Sequence, residues 1–177
     1  AHKVRISKAY IEITNRCNLN CTTCYNRSGL NTVTREIGVT ELERMITTFT
    51  AYGAKRILIS GGEPTLHSEF EKIAALPSRY PQLSFGVTTN GTTAAARTVL
   101  APAIKSQKNM SLQISLDGSS EETNALTRGR GNFEKAVEFA RSVSDSPAEK
   151  RLKMVVSRGN LADVEKFYRL ALSLGFT

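Results

Sequence analysis

The stretch CNLNCTTC carries Cys17, Cys21 and Cys24, the three cysteines of the chain. Thiols at x3 and x2 spacing on one short segment can turn toward a common inorganic centre. A structural zinc site takes four protein ligands, and a catalytic one takes three and a water. His67 is available as a fourth ligand, but it lies far from the triplet in sequence. Cys21 and Cys24 alone form a CxxC redox pair, which leaves Cys17 without a task. An iron–sulfur cubane has four irons and is closed by four cysteines. With three cysteines, one iron keeps an open position at which a small molecule can bind. That chemistry uses all three thiols and is the better fit; zinc binding and thiol exchange stand as alternatives.

The elements that must position such a centre alternate along the chain. Short, mostly apolar strands are expected at 9–14, 56–60, 83–89, 110–116 and 152–157. Apolar residues at consecutive positions, as in RILIS, suit strands covered on both faces. Between them lie helical patterns. The segment 40–53 stripes Leu42, Met45, Ile46 and Phe49, opens on a Thr40/Glu43 capping box and stops at Gly53. A second box, Ser68/Glu71, opens the next helix, and a weaker one at 93–107 is interrupted by Pro102. Two more follow at 132–143 and 160–175, the last with Asn160 placed as N-cap. Repeated strand–helix units imply parallel strands with right-handed crossovers. The expected fold is therefore α/β, an open sheet or part of a barrel.

The unusual residues fall at one end of this scaffold. The cysteines follow strand 1, GGEP follows strand 2, TNGT ends strand 3, SLDG ends strand 4 and SRGN ends strand 5. In parallel α/β proteins the carboxyl ends of the strands are where ligands bind.

Composition sets outer limits. A chain of 177 residues with 40% hydrophobic and 23% charged residues suits one globular domain. No apolar run approaches the roughly 20 residues of a membrane span, and AHKVRISKAY lacks the apolar core of a secretory signal. Clustered, odd-numbered cysteines argue for a reducing, cytoplasmic compartment rather than a disulfide framework. The net charge of +8 suits anionic partners in general, but no dense Lys/Arg stripe marks a nucleic-acid surface.

CxxxCxxC at Cys17, Cys21 and Cys24, GGEPTL at 61–66 and ISLDG at 114–118 resemble the radical S-adenosylmethionine (radical SAM) enzymes. TRGRGNFEKA and VVSRGN add to the likeness, whose flavour is that of the branch that modifies peptides or builds cofactors. The resemblance implies a partial (β/α) barrel, of which five of the usual six units are visible in residues 1–177. It implies a [4Fe–4S] cluster on Cys17, Cys21 and Cys24, with S-adenosylmethionine chelating the open iron. An electron donor would drive its cleavage to a 5′-deoxyadenosyl radical, which abstracts hydrogen from a peptide, protein or cofactor precursor. The alternative is a metal- or nucleic-acid-binding module that keeps the scaffold without the radical chemistry.

The resemblance also assigns residues. Gly61 and Gly62 would let the backbone approach the methionine amino group, and Glu63 would accept a hydrogen bond from it. Ser115 would help hold the cofactor's carboxylate or ribose, with Asp117 and Asn90 beside it. Arg128, rather than Arg130, would pair with the cofactor carboxylate through a guanidinium fork. No residue is assigned the catalytic hydrogen. Three features depart from the family pattern: Thr23 precedes the third cysteine where relatives have an aromatic residue, ETNALTR contains no histidine, and no sixth unit is visible. A five-unit arc leaves a strand edge open, which a second chain could cover.

Overall fold

A computed structural model describes residues 5–177. The strands are β1 (Lys8–Glu12), β2 (Arg56–Ser60), β3 (Ser84–Thr89), β4 (Met110–Ser115) and β5 (Glu149–Lys153). All pair in parallel, in the order β1-β2-β3-β4-β5. The helices are α1 (Val39–Ala51), α2 (Phe70–Arg79), α3 (Ala101–Ser106), α4 (Glu121–Arg128), α5 (Phe133–Ser142) and α6 (Val164–Ser173). Five parallel strands joined by helices form the arc of a partial barrel, as expected.

Alternation along the strands separates two environments. Ile57 and Ile59 of β2, Phe85 and Val87 of β3, and Leu112 and Ile114 of β4 are buried in one core with Leu42, Ile46, Phe70, Ile73, Ile104, Val137 and Phe139 from the helices. Each such side chain contributes about 1.5–3 kcal/mol by leaving water. The intervening residues line the concave side, where Lys8, Tyr10 and Glu12 of β1 and Glu149, Arg151 and Lys153 of β5 face the same cavity.

Several local expectations are corrected. The fifth strand is Glu149–Lys153 rather than 152–157. Its pairing runs Ser111↔Glu149 through Ser115↔Lys153, and the apolar Val155 and Val156 lie exposed beyond it. Lys150 takes a buried outward position, its Nζ donating to the Ser146 carbonyl. The two expected capping boxes do not form: α1 starts after Gly38 and α2 after Glu69, neither with a side-chain cap. ETNALTR is helical, as α4, and Ser120 caps it by accepting from the Thr123 amide. The expected helix is continuous over 94–106, and Pro102 follows directly on a π-helical turn at Ala96–Leu100, a local widening that accommodates the ring and the missing N–H inside the helix.

Candidate active site at the carboxyl edge of the sheet

The cysteine loop leaves β1 and is tied down on four sides. The Gly62 amide donates to the Thr14 carbonyl (2.8 Å) and the Glu63 amide to that of Arg16 (2.7 Å), joining the loop to the end of β2. The Asn18 amide group donates to Thr92 Oγ1 (2.8 Å) and accepts from Asn90 Nδ2 (3.0 Å), joining it to the end of β3. The Thr22 amide donates to the Thr127 carbonyl of α4 (2.9 Å). Past the last cysteine, Tyr25 Oη and Asn26 Nδ2 both donate to Glu12 on β1.

Cys17, Cys21 and Cys24 are free, partly buried thiols. All three line a cavity of about 570 Å³ on the concave face, with Gly61, Gly62, Ser115 and Arg128. That volume suits a small-molecule site. Burial pushes the Cys17 thiol up to about 11, against the Leu19 amide donating to its Sγ (3.4 Å). Burial also raises the Cys21 thiol, while the Arg128 guanidinium draws it down.

Among the described residues no three His, Cys, Asp or Glu side chains converge as ligands of a single ion would. A cubane places each thiolate on a different iron and does not need that convergence. His67 is no fourth ligand: its Nε2 bonds the Ile37 carbonyl (3.0 Å) and its Nδ1 accepts from the Glu69 amide (3.0 Å). The three thiols, with a concave space beside them, fit an open-iron cluster better than zinc.

The glycines have a reason the sequence did not reveal. A Cβ on Gly61 would lie 2.4 Å from the Thr14 carbonyl oxygen, and one on Gly62 would lie 2.2 Å from that of Arg16. Both clashes are with backbone of the cysteine loop, so the Gly-Gly pair is required to dock that loop. Docking the loop adds to the expected role of these glycines beside the cavity, which both of them line.

Glu63 is tied into the protein as well as lining the cavity. It is 1% exposed and accepts from the Thr65 amide (3.1 Å), Thr65 Oγ1 (2.6 Å), Thr89 Oγ1 (2.7 Å) and the Asn90 amide (2.7 Å). Three of these donors share Oε1 and one, the Asn90 amide, takes Oε2, so the carboxylate is anchored through Oε1 while Oε2 keeps a further acceptor site. Burial pushes its carboxyl up and the four donors pull it back. It is a staple between the ends of β2 and β3. Gly61, Gly62 and Glu63 all line the cavity.

Asn90 and Asp117 are likewise committed to the protein. The Asn90 side chain bonds Asn18 and accepts from the amide (2.9 Å) and hydroxyl (2.8 Å) of Thr92. Asp117 is wholly buried and does not line the cavity. It accepts from the Val155 amide (2.9 Å) and Thr127 Oγ1 (2.8 Å). Its Oδ2 also lies 2.9 Å from Arg128 Nε, an ion pair whose angle falls short of a hydrogen bond. Arg128 is thereby held with Nη1 4.0 Å from Cys21 Sγ, whereas Arg130 is exposed and away from the cavity. Asn160 stands at the N-cap position of the 3-10 turn Leu161–Asp163 that leads into α6, as expected, but its side chain makes no capping bond. It is buried, donating to the carbonyls of Asp117 (3.0 Å) and Val155 (2.9 Å). Ser115 lines the cavity, and its hydroxyl has no partner among the described residues.

The sequence reading missed Glu12, Asn18 and Thr127, which hold the loop, and the charged residues of the concave face. The alternation in KAYIE and EKRLK was the available signal for the latter.

The radical SAM superfamily model matches residues 11–174. The chain is 36% identical over 164 residues to a probable GTP 3′,8-cyclase of Methanocella arvoryzae, covering 90% of this chain and 50% of that protein. It is 30% identical over 173 residues to the mycofactocin maturase MftC of Mycolicibacterium smegmatis, covering 94% of this chain and 42% of that protein. The chain thus spans half or less of these relatives. Streptococcus suis SuiB bound to S-adenosylmethionine superposes with a TM-score of 0.86 at 14% identity, over 98% of this chain and 39% of that one, a likeness of fold. The structure of anSMEcpe with bound AdoMet and Kp18Cys peptide matches with a TM-score of 0.75 at 25% identity, over 96% of this chain and 49% of that one. With the family model running from β1 through α6, the chain belongs to the radical SAM superfamily.

Proposed function

We propose that residues 1–177 are the cofactor-cleaving core of a radical SAM enzyme, with Cys17, Cys21 and Cys24 as the ligands of a [4Fe–4S] cluster and S-adenosylmethionine at its open iron. The observation that carries this is the convergence of three free thiols, the Gly61–Gly62 backbone and the Arg128 guanidinium on one cavity at the carboxyl edge of the sheet. When bound, the cluster and cofactor supply one-electron cleavage of the sulfonium bond and abstraction of a hydrogen atom.

The protein's own part is positioning. Arg128, fixed by Asp117, offers a guanidinium fork suited to the methionyl carboxylate. The Gly61–Gly62 backbone borders the space for the amino group. Ser115 Oγ is free to bond the carboxylate or the ribose. Relatives include a peptide-bound neighbour and a maturase, which supports a peptide as the substrate class. An external electron donor is a further requirement of the reaction. Among the described residues no helix is long and apolar enough to cross a membrane.

The test is anaerobic reconstitution with iron and sulfide. About four irons per chain are expected from cubane stoichiometry, with formation of 5′-deoxyadenosine on reduction in the presence of S-adenosylmethionine. Cys21→Ala should lose the cluster. Stoichiometric zinc without sulfide would refute the assignment.

A further inference from the structure

We propose that the concave face takes its substrate through an anionic group, a carboxylate or a phosphate, seated on Arg151 and Lys153 of β5. This rests on the radical SAM reading of the site and adds the chemical class of what enters it.

The first observation is charge. The strand residues lining the cavity include four cations, Lys8, Arg56, Arg151 and Lys153, against two carboxylates, Glu12 and Glu149. Glu12 is already engaged by Tyr25 and Asn26 of the cysteine loop. Glu149 is shared, bonding Arg56 Nη2 at 3.3 Å and also pairing with Arg151. Lys8 Nζ sits over the Tyr10 ring, 5.3 Å from its centroid. Lys153 has no acceptor among the described residues. The lining is therefore positive and under-neutralised. Arg151 and Lys153 are exposed, so this field acts as attraction of an entering anion, weakened by salt.

The second observation is where the space ends. Arg56 crosses from β2 to β5, bonding Ser111 Oγ (3.3 Å) and Glu149 (3.3 Å). It passes the row of Gly86, where a Cβ would lie 2.4 Å from Leu58 Cδ2 and 3.1 Å from Ser111 Oγ. This bridge floors the lumen at the amino ends of the strands, and Arg56 Nε stays buried without an acceptor. Arg151 pairs in register with Gln113, and Lys153 with Ser115. Those two rows lie about 7 Å apart at the rise of a strand, between the floor and the cysteine loop. Thr88 and Gln113 lie in the row of Arg151 and Ser115 in that of Lys153, so an anionic group held there meets uncharged donors beside it while the rest of the molecule extends toward the cysteine loop. Uncharged donors beside a cationic seat suit a polar molecule with one charged end, and an aliphatic one poorly.

The experiment titrates reconstituted, S-adenosylmethionine-loaded protein with inorganic pyrophosphate, with citrate and with uncharged sucrose by calorimetry. At least one anion should bind and sucrose should not; the stronger anion tells phosphate from carboxylate. Arg151→Gln/Lys153→Gln should weaken that binding at least tenfold, with iron content and S-adenosylmethionine affinity unchanged. Lys153→Gln alone should weaken it severalfold, and Lys153→Arg should restore it. Lys135→Gln/Lys166→Gln, which removes the same charge from exposed helix positions, should stay within about twofold. Absence of binding by either anion, or equal losses in the two double variants, overturns the proposal. Failure of the radical SAM reading would appear separately, as missing iron or missing 5′-deoxyadenosine.

Discussion

Asp117→Asn removes a single charge from a site with no exposure and keeps the size of the side chain. Arg128, only 11% exposed, then loses its counter-ion at 2.9 Å. Breaking a buried pair by removing one partner costs about 3–5 kcal/mol, because the other charge stays buried and uncompensated. The Asn oxygen can still accept from the Val155 amide, which places the expected loss near the low end, about 3 kcal/mol. For a domain of this size that corresponds to a fall in Tm of roughly 6–12 °C. Arg128→Leu should cost a comparable amount by leaving Asp117 charged. The double variant Asp117→Asn/Arg128→Leu should recover much of the loss, since no buried charge remains. Urea unfolding of the four proteins gives the coupling energy directly. A loss under about 1 kcal/mol for Asp117→Asn, or strictly additive losses, would refute the view that Asp117 exists to hold Arg128. In the same set, S-adenosylmethionine affinity should fall for Asp117→Asn although Asp117 does not line the cavity.

Gly62→Ala should lower iron incorporation as well as S-adenosylmethionine binding, because its Cβ would lie 2.2 Å from the Arg16 carbonyl oxygen; full iron content with weak cofactor binding would return the glycine to a purely ligand-facing role. Asn90→Ala leaves the buried Thr92 amide without its acceptor and should cost about 1–3 kcal/mol, with faster loss of the cluster in air as the Asn18 tie goes. Stability unchanged within error would contradict that. The free side of β5 and the exposed Val164, Tyr168 and Leu172 at i, i+4, i+8 on α6 should make residues 1–177 alone self-associate or cleave the cofactor slowly and without coupling to substrate. Sedimentation and turnover on one sample check this, and a strict monomer with efficient coupled turnover counts against it.

Some of this protein could be read from residue order alone. The three thiols and their spacing define the chemistry locally, since a cluster needs ligands on one short loop. Strand periodicity and the glycine-rich turns are also local, which is why β2, β3 and β4 and the clustering of motifs at one sheet edge were legible. Boundaries failed where tertiary pairing overrode composition. Charged EKRLK is a strand because β4 pairs with it and its alternate residues face a polar lumen, and the more apolar VVS next to it is not.

Roles were less legible than positions. Gly61, Gly62, Glu63 and Ser115 sit at the cavity's edge, yet Glu63 is also tied to four donors and Asp117 is turned into the protein, and only the folded chain reveals those donors. The two glycines read as space for a ligand, and only the structure adds that the cysteine loop packs at their α-carbons. The charge of the lumen belongs to three strands, β1, β2 and β5, separated by up to about 150 positions, from Lys8 to Lys153, and no window of sequence contains it. Sequence spacing specifies what a short loop can bind; closing the sheet into an arc decides which distant side chains share a field, which are consumed in holding one another, and which remain free to meet a substrate.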